Sequence, residues 1–461
     1  MDHFLSSRRQ SFGARKDNAG LWGGPRQQHG RRQLSARLLE WAVGACLLGW
    51  SLPAPGQAQS YTITDLGTLG GSYSEAHGVN NSGGVVGNWA PGGSPWVRGF
   101  YFHDGANNDL PTLGGVYAIA YGINNSNIII GESASAGGFS DIHAFVLTSG
   151  TVSDLGTLGG TYTGGYSSAH GINNSGQIVG ESTVSVTARN TTHAVLYSGG
   201  TKADLGMLGG DYSGANAINN LGIIVGSTAV VTGSITNIHA FVYSNNIMRD
   251  LGSLSGGYSG ARGINDSGLI AGESEIVVQG ITNLHAVIWR DGRLADLGTF
   301  GGSSSSAAAV NNSGLVVGYA YDTNEVSWAF LSTGTNLINL ANLIPPNSGW
   351  TNLTMAEAIN DLGQIAGSGL LANGGYHAFL LTPVGPQLSP VTLASAQILT
   401  TGSFQLTAQG MPGQNFVLQA STNLLDWLSV STNYLAGTAT NWVDAAAPQF
   451  NCRFYRAVSI P

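Results

Sequence analysis

Between Tyr61 and Thr382, apolar and polar positions alternate in short runs, and the runs recur in one order seven times. The third recurrence shows the pattern in full. Thr151-Val152-Ser153-Asp154-Leu155 alternates and predicts a strand, and Leu158-Gly159-Gly160 predicts a turn. Ala169 to Asn173 predicts a second strand. Asn174-Ser175-Gly176 predicts a tight turn whose glycine takes a positive φ. Gln177 to Glu181 predicts a third strand and, after a connection of variable length, His193-Ala194-Val195-Leu196-Tyr197 a fourth. Four short antiparallel strands in about 45 residues is the content of one propeller blade.

The period is 43 to 50 residues. The D-L-G strand recurs near Asp65, Asp109, Asp154, Asp204, Asp250 and Asp296, with a degenerate form at Asn339. The Asn turn falls at Asn80, Asn124, Asn173, Asn219, Asn265, Asn311 and Asn360. The H-A-F strand ends at Phe100, Phe145, Val195, Phe241, Val287, Phe330 and Phe379. The series opens on a D-L-G strand and stops on an H-A-F strand that lacks its successor. A ring closes if Tyr61–Gly67 supplies the outer strand of the last blade, whereas a β-solenoid leaves that strand orphaned and two edges open. The expected fold is therefore all-β: a seven-bladed β-propeller closed by its N-terminal strand, over residues 59–385. Residues 386–461 hold further alternating stretches, Phe404–Ala408, Phe416–Ala420 and Arg453–Val458, after a stiff linker carrying Pro383, Pro386 and Pro390.

The recurring D-L-G-T-L-G-G, I-N-N-S-G and H-A-F motifs resemble those of the HAF-repeat family of bacterial extracellular repeat proteins, over about residues 61–382. Arg98-Gly99-Phe100 and Trp328-Ala329-Phe330 depart from the pattern by lacking the His. That resemblance implies an extracellular setting and no defined chemistry. The stretch N-F-V-L-Q-A-S-T-N-L-L-D-W, with the later R-F-Y-R-A, resembles the small C-terminal β-domain of secreted verrucomicrobial-type proteins. This implies an immunoglobulin- or fibronectin-III-like sandwich, in which Trp427, Trp442 and Tyr455 read as core.

Charge changes the picture at the N-terminus. Residues 1–58 carry 8 basic and 3 acidic side chains, and the remainder 9 and 22. Arg31, Arg32 and Arg37, the apolar run Leu38 to Trp50, and Gly56-Gln57-Ala58 have the order of an export signal, so a secreted or cell-surface location is expected. The run is too short to span a bilayer, and the mature chain is expected to have no transmembrane segment. Arg31-Arg32 also fits a weak twin-arginine signal. The acidic body argues against nucleic-acid binding. Cys46 lies in the leader, which leaves Cys452 alone and no intramolecular disulfide in the mature chain.

Candidate chemistry is sparse. His143, His193, His239, His285 and His377 share one repeat position and would be spread around a ring, too far apart for a common metal. They read as partners of a turn Asn or Asp within each blade. Asp65, Asp154, Asp204, Asp250 and Asp296 read as acceptors of backbone N–H bonds. Glu132, Glu181 and Glu273 read as solvated strand ends, with a glycosidase-like carboxylate pair as the alternative. No hydrolase, zinc, phosphate-loop or EF-hand motif occurs, and no cofactor is implied.

Aromatics mark the candidate binding residues. Tyr73, Tyr117, Tyr162, Tyr212 and Tyr258 follow the G-G pair in the connections between blades. They either wedge between blades or line a face. On the same face stand the variable segments Trp89–Val97, Ser133–Ile142, Thr183–Thr192 and Ala229–Ile238, with Trp89 and Trp96 placed to stack on a sugar or anchor a partner. The function expected is non-enzymatic binding of an extracellular polysaccharide or surface protein. The alternatives are a propeller glycoside hydrolase or lyase using Glu132 and Glu181, and a structural spacer.

Overall fold

The computed structural model describes residues 60–461 except 137, 160–164, 187–188, 279, 335, 385–390, 401–402, 411–414, 423–426, 436, 451–452 and 461. The leader, Tyr162, Cys452 and most of the proline linker lie outside the described residues. The described chain is all-β: its strands form several separate sheets, and two short 3-10 turns are its only helical elements. No described helix is long and apolar enough to cross a membrane.

Twenty-eight strands fall into seven antiparallel units of four. Unit 1 is Ser74–Val79, Val85–Trp89, Arg98–His103 and Ala106–Asp109. Units 2 to 6 repeat this order. Unit 7 is Trp350–Ile359, Ile365–Leu371 and Tyr376–Val384, and its fourth strand is Ser60–Asp65 from the start of the domain. The pairing runs from Ser60 beside Val384 to Asp65 beside Phe379. Each D-L-G segment thus completes the sheet of the preceding H-A-F strand, so sequence repeat and sheet are out of phase by one strand. Single parallel bridges, Thr192 to Tyr212 and Leu284 to Ser304, join units 3 and 4, and units 5 and 6, into two eight-stranded sheets.

The repeated residues explain the repeated geometry. The tight turn after the first strand needs one residue at positive φ, supplied by Gly83, Gly176, Gly222, Gly268, Gly314 and Gly363, and by Asn127 in unit 2. A second glycine, which follows Val, Ile or Ala in the second strand of each unit, has another cause. The first strand shifts register beside it, and a Cβ at Gly87, Gly131, Gly180, Gly226, Gly272, Gly318 or Gly367 would collide with the facing backbone carbonyl. The first strand bulges where only glycine lets it approach.

The apolar core is divided among the junctions between units. Val86, Ile129 and Phe145 pack between units 1 and 2; Val225, Val287 and Trp289 pack between units 4 and 5. Leu66, Phe100, Ala366 and Leu380 fill the junction of units 7 and 1 in the same way. Phe100, Phe145, Phe241, Phe330 and Phe379 are fully buried, which accounts for the F of H-A-F. Buried serines tie units together. Ser213 Oγ accepts from Ala194 N (2.8 Å) and donates to Gly206 O (2.6 Å), and Ser74 does the same for Ala378 N and Gly67 O across the chain ends.

Two cycles of hydrogen bonds run through the Asn turns. In one, the side-chain amide of each turn Asn donates to the backbone oxygen of the next, 80 to 124, 173, 219, 265, 311, 360 and back to 80, at 2.8–3.1 Å. In the other, the next residue's backbone N–H donates to a side-chain oxygen one unit on, from Asn81 through Asp361 and back to Asn81. Three residues from each of the seven turns line one 160 Å³ depression.

Beyond residue 390 two three-stranded sheets share a core of their own, built on Leu406, Phe416, Leu418 and Tyr455. Tyr455 stacks on Phe404 (5.3 Å) and donates to the buried Asp444 at 2.7 Å; Trp442 packs at the core's edge. Trp427 is half-buried, with the Arg456 guanidinium 4.3 Å from its ring centre.

Candidate functional site

The histidines do what their spacing predicts. His143, His193, His239, His285 and His377 each place Nδ1 at 2.8–2.9 Å from the Asp of the adjacent fourth strand: Asp154, Asp204, Asp250, Asp296 and Asp65. Each of these carboxylates also accepts the backbone N–H two residues on, from Gly156, Gly206, Gly252, Gly298 and Gly67. In unit 1, Arg98 replaces the His and pairs with Asp109 at 2.7 Å. The pair therefore pins the outer strand. The His377–Asp65 pair pins the first strand of the repeat region to its last unit. Among the described residues no group of three or more His, Cys, Asp or Glu side chains is arranged to hold a metal.

The glutamates correct the expectation. Glu132 and Glu273 are not solvated strand ends but are 6% and 3% exposed, and Glu181 is half-buried. Their second strands place them under tyrosine hydroxyls that sequence spacing does not connect to them. Glu132 accepts at one oxygen from Tyr117 and, more distantly at 3.4 Å, from Tyr121; at the other it accepts from Tyr166 of the next unit at 3.2 Å. Tyr212 donates to Glu181 across a unit boundary at 3.3 Å. Tyr258 and Arg262 both donate to one oxygen of Glu273 at 2.9 Å, and its other oxygen is buried with no partner among the described residues. Hydrogen bonding makes this burial tolerable.

The electrostatics follow from that packing. Burial first, and the Glu132 carboxylate second, push the hydroxyls of Tyr117, Tyr121 and Tyr166 far above the ordinary tyrosine range. Glu181 adds to the effect on Tyr121 and Tyr166, so both carboxylates act on one neighbourhood. Tyr258 is pushed up to about 12, by burial and then by Glu273. These hydroxyls are fixed donors, not bases. Glycine makes room for them: a Cβ at Gly214 would press on the Tyr212 hydroxyl and Glu181, and one at Gly260 on the Tyr258 hydroxyl.

Of the aromatic candidates, Tyr117, Tyr212 and Tyr258 thus belong to this carboxylate cluster. Tyr73 is half-buried and bridges Tyr376 of unit 7. Tyr162 lies outside the described residues; the structural counterpart of Tyr117 in unit 3 is Tyr166, which sequence reading missed. The signal was present: Gly164-Gly165-Tyr166-Ser167 repeats Gly256-Gly257-Tyr258-Ser259 of unit 5 after an insertion. Trp89 is half-buried against the unit 7–1 core, with Nε1 3.2 Å from Asp109 Oδ1. Trp96 is 39% exposed in the connection that follows.

The other variable segments are not loops. The second and third strands continue as paired hairpins, as far as Thr232 beside Ile235 in unit 4 and Val278 beside Ile281 in unit 5. Alternating Val, Ile and Thr keep them in strand form. The G-G pair shows the same extension: in units 2, 4 and 6 it lies inside the first strand, as in Gly209–Ile218.

No protein-family model and no curated protein matches the chain. Among solved structures it is similar to TolB from Acinetobacter baumannii, at 12% identity and TM-score 0.33, over 56% of this chain and 64% of TolB. It is also similar to the polysaccharide lyase Uly1, at 10% identity and TM-score 0.41, over 72% of this chain and 94% of Uly1. A glycosyl hydrolase from Bacteroides ovatus matches at 12% identity and TM-score 0.19, over 47% of this chain and 83% of its own. At these TM-scores the likenesses carry no argument about activity.

Proposed function

We propose that residues 59–385 form a closed seven-bladed β-propeller, that 386–461 form an immunoglobulin-like sandwich, and that the chain is a non-catalytic polysaccharide binder outside the cell. The two cyclic sets of seven hydrogen bonds and the pairing of Ser60–Asp65 with Tyr376–Val384 support the ring. The resemblance to HAF-repeat proteins supports the extracellular setting.

One observation carries the non-catalytic reading: Glu132, the more enclosed of the candidate pair, is already occupied at both oxygens. A glycosidase needs two carboxyl groups whose oxygens reach the substrate, one as acid and one as base or nucleophile. Both Glu132 oxygens are taken by tyrosine hydroxyls, and the side chain is nearly buried. A lyase base would need a group that loses a proton near neutral pH. The surrounding tyrosines are pushed the opposite way. Charged residues are few, 9% of the chain, and the polar residues and scattered aromatics are suited to hydrogen-bonding and stacking on sugars.

The enzyme reading keeps one point in its favour, the shared neighbourhood of Glu132 and Glu181. A single experiment separates the two. The purified protein is incubated with a panel of polysaccharides, and retention on the polymer and release of new chain ends are both measured. Retention without new ends is expected. New ends that disappear in Glu132→Gln would establish the enzyme. Neither retention nor new ends on any polymer would remove the polysaccharide reading.

A further inference from the structure

The repeat breaks down most at one place. After Ser332 the D-L-G-T-L-G-G segment is replaced by L-I-N-L-A-N-L-I-P-P-N-S-G-W. The fourth strand of unit 6 shrinks to Leu337–Asn339. Asn339 stands where other units carry the Asp, and its side chain caps a 3-10 turn, Leu340–Leu343, by accepting from Ala341 N at 2.9 Å. Leu340 and Leu343 anchor that turn in the unit 6–7 core. Pro345 and Pro346 then carry the chain away until the first strand of unit 7 begins at Trp350. The detour leaves a 760 Å³ cleft whose walls include Phe300, Asp322, Trp328, Asn342, Trp350 and Asn352. That volume lies in the range of small-molecule sites, about 300–1,000 Å³.

We propose that this cleft binds an uncharged saccharide chain, an inference that rests on the polysaccharide-binding reading above and gives it a place. Trp328 occupies the repeat position held by His in five units and by Arg98 in unit 1, so the change converts a strand pin into an aromatic wall. Its Nε1 donates to Asp322 Oδ2 at 3.0 Å, which holds the indole in one orientation. Trp350 is held edge-on against the buried Phe379, ring centres 5.7 Å apart at 85°. Rigid indoles and the Phe300 ring offer apolar faces for sugar rings at little entropic cost.

The polar groups favour hydroxyls over charge. Among the described residues Asp322 is the one ionisable side chain on the cleft walls, and it is engaged by the Asn324 and Val326 backbone N–H groups (2.8 and 3.1 Å) as well as by Trp328. No described Lys or Arg lines the cleft to meet an acidic sugar, and the engaged carboxylate is poorly placed to recruit a cation. Asn342 is exposed at the rim. Asn352 donates to Ser327 O at 3.1 Å, while its amide oxygen is buried without a partner among the described residues. A water or a ligand hydroxyl would satisfy it.

The test is titration of the full-length protein with cello-, laminari- and manno-hexaose and with an oligogalacturonate, read by calorimetry and tryptophan fluorescence. Trp328→Ala and Asn342→Ala are run in parallel, the second because an exposed rim residue leaves folding intact. Ser175→Ala, at an exposed turn of unit 3, is the control outside the cleft. The expected result is binding of at least one neutral hexaose, weakened on the order of tenfold in Trp328→Ala and measurably in Asn342→Ala, with the control unchanged. Neutral binding unchanged in both cleft variants would overturn the site and leave the binding reading intact. Binding of oligogalacturonate alone would overturn the ligand class. Binding of none of the probes, and of no polymer in the preceding assay, would overturn both.

Discussion

The second-strand glycines show how much one hydrogen atom in place of a methyl decides. At Gly131 a Cβ would enter the space of the Ile119 carbonyl, and neither strand can retreat without breaking its pairing. Gly131→Ala is expected to destabilise by about 2 kcal/mol or more, as overpacking does, in a denaturant titration; Gly150→Ala, at an exposed turn with open space around it, strains only its own φ and should cost less. The tyrosine cluster makes a prediction in pH. Tyr117, Tyr121, Tyr166 and Tyr212 have folded pKa values raised above the unfolded value. Their stabilising contribution is therefore fully present below the unfolded value, about 10, and is lost as pH rises through the folded values. A spectrophotometric titration should show these tyrosines ionising only with alkaline unfolding, and the melting temperature should fall above about pH 10. Ionisation of these four near pH 10 in the folded protein, assigned by comparison with their Tyr→Phe variants, would contradict the burial of the cluster. The burial of Glu132 was not legible in the sequence, because its partners come from another strand and from the next unit. Period alone places a residue in its own strand and is silent on what a neighbouring unit lays over it.

Strands were the legible elements. The I-N-N-S-G turns, the H-A-F strands and the His–Asp pins could be placed because each recurs at fixed offsets and one explanation serves all copies. Elements defined by departure from the repeat were not legible. The hairpin extensions read as loops because their sequences vary, although Ile, Val and Thr could have marked them as strand. The Trp328 substitution read as the loss of a His rather than the gain of a cleft wall. Two expectations belong to this scale. Asn219→Ala removes a side chain that donates to Asn265 O and accepts from Leu221 N and Ile223 N, leaving buried groups unpaired. It should cost about 1–3 kcal/mol, against a few tenths for Ser175→Ala, whose hydroxyl is not in the cycle. Deletion of Ser60–Asp65 should expose the edge of Tyr376–Val384 and uncover the core around Tyr61, producing aggregation visible by light scattering. A monodisperse deletion variant with unchanged melting would mean that the strand is dispensable.

For the whole molecule, the proposed closure joins sequence to function. Each unit buries apolar side chains against the next, and the seventh junction is made with the strand Ser60–Asp65. In the proposed ring, a departure in a single unit opens a cleft while the other six keep the repeat. No cysteine lies between Ser60 and Val384, so these units depend on packing and hydrogen bonds alone. The most direct test of closure is a covalent one. Thr62 and Thr382 are paired across the first and last strands of the ring, so Thr62→Cys/Thr382→Cys, made in a Cys46→Ser/Cys452→Ser background, brings two thiols within disulfide reach. The closed ring predicts a monomeric disulfide that forms under mild oxidation, shifts mobility on a non-reducing gel and raises the melting temperature. Free thiols, or disulfides only between molecules, would contradict it.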